Sequence, residues 1–259
     1  MLNDYQKQAI VWDWDGYDNS SEYDYWCEYA AQFGKNVLIP MCAHGQAGAY
    51  MAEKGFNVVA FDITPEMIEE GKKRYGAVSG LELIAADLLK LDLCDKNFDF
   101  TFIAGNGDLH LLQNIQDVEK AFTSLYKHMR LGGCLVLELG LPSNESWSYP
   151  KKTFHPRVPN YIDKKVWKEN EGKYDADEKR HYIYQTVYIE DNNGIESFTQ
   201  SVCLQYYDRE SILELLRKCD FSVQGEYCNR QKEPWKSGEG SWFIEVIKQE
   251  SILRAPKNK

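Results

Sequence analysis

Residues 36–140 alternate short apolar runs with longer segments of helical periodicity, and few folds accommodate that rhythm. NVLIPMC, FNVVAFDI, LELIAAD, FDFTFIAG and GGCLVLELG read as strands, most of them nearly continuous in apolar residues, as strands buried on both faces are. AGAYMAEKG, TPEMIEEGKKRYG and IQDVEKAFTSLYKHMRLGG carry apolar residues at helical spacing and end at glycine. Strands alternating with helices predict an α/β fold with a doubly wound, mostly parallel, Rossmann-like sheet. Such sheets bind ligands outside the carboxyl ends of their strands, where the strand order reverses.

Local signals place the first residues at that edge. Thr64-Pro65-Glu66 supplies a capping hydroxyl, a proline suited to the first helical position and an early acid. The helix therefore starts just after Asp62, leaving Asp62 at the end of the second strand. VLIPMCAHGQAG forms the first strand-to-helix loop and Asp87 follows the third strand, so all three features share one edge. A carboxylate ending the second strand accepts both hydroxyls of a ribose, and one ending the third can accept from an adenine amino group.

Beyond residue 141 the pattern changes to a polar, aromatic stretch reaching about Lys179. RHYIYQTVYIEDNNGIESFTQSVCLQYY follows, in which Ile183, Val187 and Ile189 alternate with Tyr182, Tyr184 and Tyr188 across an Asn-Asn-Gly turn signal. This predicts an antiparallel hairpin inserted after the fifth strand. DRESILELLRKCDF gives a further helix, and FSVQGEYC and SWFIEVIKQ give two closing strands, for seven in the main sheet. One domain over residues 1–259 is expected, with residues 1–34 as a lid and about 143–206 as a substrate-side insertion.

Composition narrows the partners. Forty acidic against 30 basic residues give a net charge of −10, which disfavours nucleic acid and favours neutral or cationic substrates. No apolar run reaches membrane-spanning length, and the seven cysteines include no C-x-x-C pair. A cytoplasmic protein without a metal site or membrane partner is expected.

These residues resemble the class I S-adenosylmethionine-dependent methyltransferases. NVLIPMCAHGQAG stands for the cofactor loop, GFNVVAFDITPEMIEEGKKR for the ribose acid, AADLLKLDL for the adenine acid and FDFTFIAGNGDLHLL for the fourth strand. The resemblance covers about residues 10 to 250, with Met41, Ala43, Gly45, Asp62, Ile63, Asp87, Leu88, Ala104 and Asn106 as the implied cofactor contacts. Within the family the likeness is to glycine N-methyltransferase and related small-molecule N-methyltransferases, through IAGNGDLHLL, SVCLQYYDRESILELL and EGSWFIEVIKQ. Two departures qualify it. Asn19 stands where the family's lid carries an arginine, and LELGLPSNESW lacks the basic residue that would clamp the carboxylate of glycine.

The acceptor is therefore expected to be an amine other than glycine, a small metabolite or a peptide amino terminus. Trp14, Asp15, Tyr17, Asp18 and Tyr25 combine carboxylates with π faces suited to an ammonium group. An attacking amine must shed a proton, and His110 and Asp108, just beyond the fourth strand, are positioned to accept it. Two alternatives stay open. The proline and cysteine of the loop also resemble thiol-directed methyltransferases, leaving transfer to sulfur or oxygen. The glycine-poor loop leaves a pseudoenzyme weak in cofactor binding. The oligomeric state is open.

Overall fold

The computed structural model describes residues 3–94, 97–104, 108–141, 148–159, 161–236 and 241–250. Two N-terminal helices, α1 (Asp4–Ile10) and α2 (Ser20–Ala30), precede the alternating core. The core runs β1 (Asn36–Pro40), α3 (Gln46–Glu53), β2 (Asn57–Asp62), α4 (Pro65–Tyr75), β3 (Leu81–Ala85), β4 (Phe98–Ile103), α5 (Ile115–His128) and β5 (Met129–Gly140). Strands β6 (Tyr149–Thr153), β7 (Lys165–Asp175), β8 (Arg180–Asp191) and β9 (Gly194–Gln205) follow, then α6 (Arg209–Lys218), β10 (Phe221–Tyr227) and β11 (Ser241–Lys248).

The main sheet has seven strands in the order β10-β11-β5-β4-β1-β2-β3. β1 to β5 are mutually parallel, and β11 and β10 run antiparallel at one side. The order reverses between β1 and β4, which makes the carboxyl ends of these two strands the binding crevice. Apolar residues cover both faces of the sheet. Phe122, Leu125, Leu216 and Trp242 belong to one cluster, and Trp26, Phe100, Met51 and Ile68 to the other. Trp26 is fully buried and stacks on Phe102 at 4.4 Å between centroids and 9° between planes, which fixes α2 to the sheet.

Two elements differ from the sequence expectation. The helix read as far as Gly133 ends at His128, because Met129 already pairs with Phe98 on β4. Lys248 Nζ donates to the Met129 and Tyr126 carbonyls at 2.7 Å, replacing helical bonds at that end. The hairpin after the fifth strand is joined by β6 and β7 into a four-stranded antiparallel sheet, β6-β7-β8-β9. Strand β7 was hidden because both its faces mix polar and apolar residues: Val166, Lys168 and Asn170 share one face, Trp167 and Glu169 the other. Val166, Val187, Ile189 and Phe198 of this sheet pack on Val11 and Trp14 of the N-terminal segment. Among the described residues, no helix is long and apolar enough to cross a membrane.

Candidate functional site

The loop after β1 turns through three left-handed residues, Met41 (φ 57°), Ala43 (φ 49°) and Gly45 (φ 85°). Two of these bear a Cβ, and such conformations persist only where the surroundings enforce them. The Cys42 N–H donates to the Phe61 carbonyl at 3.0 Å, Gly45 N–H to the Cys42 carbonyl at 2.8 Å, and Ala43 N–H to Asp62 Oδ2 at 3.0 Å. Glycine is favoured at the turn into α3 by the φ of 85°, and a Cβ on Gly45 would lie 2.4 Å from Leu83 Cδ2, so that the leucine would have to shift. Gly71 of α4 meets the His44 carbonyl so closely that a Cβ there would lie 2.2 Å from the oxygen.

Asp62 therefore braces the loop from the end of β2. Its Oδ1 accepts the Thr64 N–H at 2.9 Å, so each oxygen carries one backbone bond. A carboxylate has about four acceptor positions, and the remaining two suit a pair of vicinal hydroxyls. Ile63 beside it is 68% exposed, an apolar side chain open at a strand end. Asp87 caps a short 3-10 turn, with Oδ1 accepting the Leu89 N–H at 2.9 Å. Its other oxygen lies 3.8 Å from Lys90 Nζ. The Leu88 side chain is buried in the core, so only its backbone faces the edge. Ala104 continues from β4, half-buried against the cluster holding Trp26. Asn106 lies outside the described residues. The loop, Asp62 and Asp87 thus stand at the carboxyl ends of β1, β2 and β3, three neighbouring strands of the sheet.

Carboxylates gather beside this edge. Asp108, half-buried after β4, has its pKa pushed up to about 7 by burial and, secondarily, by the charges of Asp62, Glu138 and Glu22. Glu138 is buried within β5, and Arg230 bridges it to α2: Nη2 lies 3.5 Å from Glu138 Oε2 and 3.1 Å from Glu22 Oε2. Arg230 had no signal in the sequence, standing in a polar connection before β11. Burial pushes the Cys42 thiol well above its usual range, with Asp62 and Asp108 adding to the effect, so it stays protonated. No group of three or more His, Cys, Asp or Glu among the described residues is placed to hold a metal ion.

His110 has a different setting from the one expected of a base. It is 1% exposed, with Nδ1 3.0 Å from the Gln205 carbonyl and Nε2 3.0 Å from the Gly140 carbonyl. Burial lowers its pKa to about 4, against the opposing pull of those two carbonyls. The ring packs on Tyr206 at 4.4 Å and ties the ends of β5 and β9 together. Both nitrogens face backbone carbonyls, a setting that favours a positioning role over the proton-accepting one expected from the sequence.

The acid-rich N-terminal segment does not form a single cation box. Asp13 is taken by His44 Nε2 at 2.8 Å and Arg74 Nη1 at 3.2 Å, and Asp24 by the Tyr50 hydroxyl at 2.7 Å. Trp14, Asp15 and Tyr17 line a cleft of about 530 Å³ against the four-stranded sheet, in company with Lys168 and Arg157. Asp18 lines a separate cleft of about 250 Å³ with Tyr17, Tyr23, Tyr50, Tyr75 and Glu53. Tyr25 packs edge-on against Trp26 at 4.8 Å and faces Arg230.

Known proteins share this architecture. Residues 37–133, the cofactor half of the sheet, match the family described as Methyltransferase domain. A demethylmenaquinone methyltransferase of Thermobifida fusca (strain YX) is 30% identical over 109 residues, 41% of this chain and 44% of its own length. The match thus spans less than half of that relative. The sugar N-methyltransferase KedS8 from Streptoalloteichus sp. ATCC 53650 superposes with a TM-score of 0.76 at 14% identity, covering 93% of this chain and 92% of that one. CalS10 from Micromonospora echinaspora, an amino pentose methyltransferase with S-adenosylmethionine bound, gives a TM-score of 0.68 at 17% identity, covering 96% and 98%. The chain thus has the fold of the class I S-adenosylmethionine-dependent methyltransferases, with a methyltransferase domain over residues 37–133.

Proposed function

We propose that the enzyme methylates the nitrogen of an amine carried by a small molecule or short peptide. Asp108 carries this reading: a carboxyl group held near pH 7, at the crevice, is suited to accept a proton from an incoming ammonium. Bound S-adenosylmethionine supplies an electrophilic methyl group on a sulfonium. The nitrogen lone pair forms the new C–N bond as the C–S bond breaks, leaving S-adenosylhomocysteine, and the proton lost from nitrogen goes to Asp108. Asp62 would hold the ribose, Asp87 the adenine, and the Met41–Gly45 backbone would approach the nucleoside. In its ionised form Asp108 would also attract the positive charge of an ammonium or of the sulfonium, whereas Glu138 and Glu22 share the charge of Arg230.

Asp18 and the tyrosines around it add support, since rings and carboxylates together suit a cation. KedS8 is described as a sugar N-methyltransferase, which agrees with nitrogen as the target. The sequence likeness to glycine N-methyltransferases supports nitrogen chemistry but not glycine itself. Alignment is the main catalytic contribution of the chain, about 7 to 11 kcal/mol in the best-oriented cases.

The test is a panel of primary amines, secondary amines, phenols and thiols, incubated with methyl-labelled cofactor and analysed by mass spectrometry. N-methyl products are expected, and label confined to oxygen, sulfur or carbon would overturn the assignment.

A further inference from the structure

The cleft between the N-terminal segment and the inner face of the four-stranded sheet carries a charge pattern opposite to that of the crevice. Lys168 projects from the centre of β7, half-buried, with its ammonium 5.7 Å from the Trp14 ring centroid. Arg157, whose backbone pairs with Val166 two residues before Lys168, donates from Nη1 to the backbone carbonyl of Asp15. Neither cation makes an ion pair with a carboxylate among the described residues, although Lys151, Lys164 and Lys165 of the same sheet region each do. Asp15 is the one acid lining the cleft, and its Oδ1 accepts the Tyr17 N–H at 3.3 Å.

Next to Lys168 on the same face, Asn170 Oδ1 is buried with no hydrogen-bond partner among the described residues. Trp14 and Phe154 meet edge to face at 6.4 Å and form an aromatic wall. Burial holds the Lys168 ammonium below its usual range, opposed by the more distant charges of Asp15 and Asp13. A half-buried ammonium without a counter-ion is costly, and an arriving anion removes that cost.

We propose that this cleft is a second acceptor subsite that binds an oxyanion group, carboxylate or phosphate, through Lys168 and Arg157. The methyl acceptor then has two ends, an amine at the acidic crevice and an oxyanion in the basic cleft, with a planar or ring portion against Trp14 and Phe154. Asn170 Oδ1 accepts a hydroxyl or N–H from the same molecule. The inference rests on the methyl-transfer reading for the acceptor's amine end, while the cleft is testable without turnover.

Calorimetric titration of the full chain with phenyl phosphate, benzoate, benzyl alcohol and benzylamine tests it, both alone and saturated with S-adenosylhomocysteine. Phenyl phosphate or benzoate is expected to bind at least about tenfold more tightly than the alcohol or the amine, the preferred anion identifying the source chemistry. Lys168→Met and the exposed Arg157→Met are each expected to weaken the anion by about tenfold, with S-adenosylhomocysteine affinity unchanged as the control for folding. Benzylamine or benzyl alcohol binding as well as the anions, or anion affinity surviving both substitutions, would overturn the subsite. Absence of heat from S-adenosylhomocysteine would count against the methyl-transfer reading alone.

Discussion

Asp62 Oδ2 accepts the backbone N–H of Ala43 at 3.0 Å, so the acid assigned to the ribose also holds the cofactor loop in its left-handed turn. The two roles are coupled: a change at Asp62 alters the hydroxyl acceptor and the loop together.

Asp62→Asn replaces one acceptor oxygen with a donor facing either a backbone N–H or a hydroxyl. S-adenosylhomocysteine affinity is expected to fall at least about tenfold, and stability by about 1 to 2 kcal/mol from the lost loop contact. Calorimetry and thermal denaturation measure the two effects separately. Unchanged affinity would remove Asp62 from the cofactor site.

Asp108 predicts a pH dependence. Its folded pKa of about 7 lies above the unfolded value, so the folded state holds the proton more tightly. This group's contribution favours folding most below the unfolded pKa and declines as pH rises towards 7. Activity runs the other way, since the basic form accumulates through pH 7. A methylation rate rising through that range and levelling above it is expected, and Asp108→Asn should abolish the inflection with the same acceptor.

His110 gives the opposite stability trend. Its folded pKa of about 4 lies below the unfolded value, so its contribution is present above about pH 6.5 and is lost as pH falls towards 4. The difference corresponds to about 3 kcal/mol. His110→Gln should flatten the acid limb of denaturation midpoints between pH 4 and 6.5 while leaving the inflection assigned to Asp108. A vanished activity inflection in His110→Gln would return the base role to the histidine.

Arg74 ties the N-terminal segment to α4. It reaches from α4 to Asp13 at 3.2 Å and donates from Nη2 to the Ile10 carbonyl at 2.9 Å, while His44 of the cofactor loop contacts the same Asp13. Arg74→Ala should raise the cofactor KM several-fold and speed protease cleavage within residues 11–19. Equal cleavage rates for variant and wild type would show that Arg74 does not hold this segment.

Features set by neighbouring residues were legible in the sequence, because strand periodicity, the Thr64-Pro65 helix start and the strand-end positions of Asp62 and Asp87 need only local chain to define them. The alternating core was readable for the same reason, since burial on both faces of a parallel sheet leaves continuous apolar runs. Tertiary structure alone decided the rest. His110 looks like a base until carbonyls 30 and 95 residues away occupy both nitrogens. Asp108 acquires its raised pKa first from burial by the fold and then from acids on β2, β5 and α2. Asp15 and Asp18 stand three positions apart and yet line different clefts, one of them made basic by Lys168 from the strand that polar patterning concealed. Burial and charge at a site are sums over whatever the fold brings near, and no local window of sequence contains those terms.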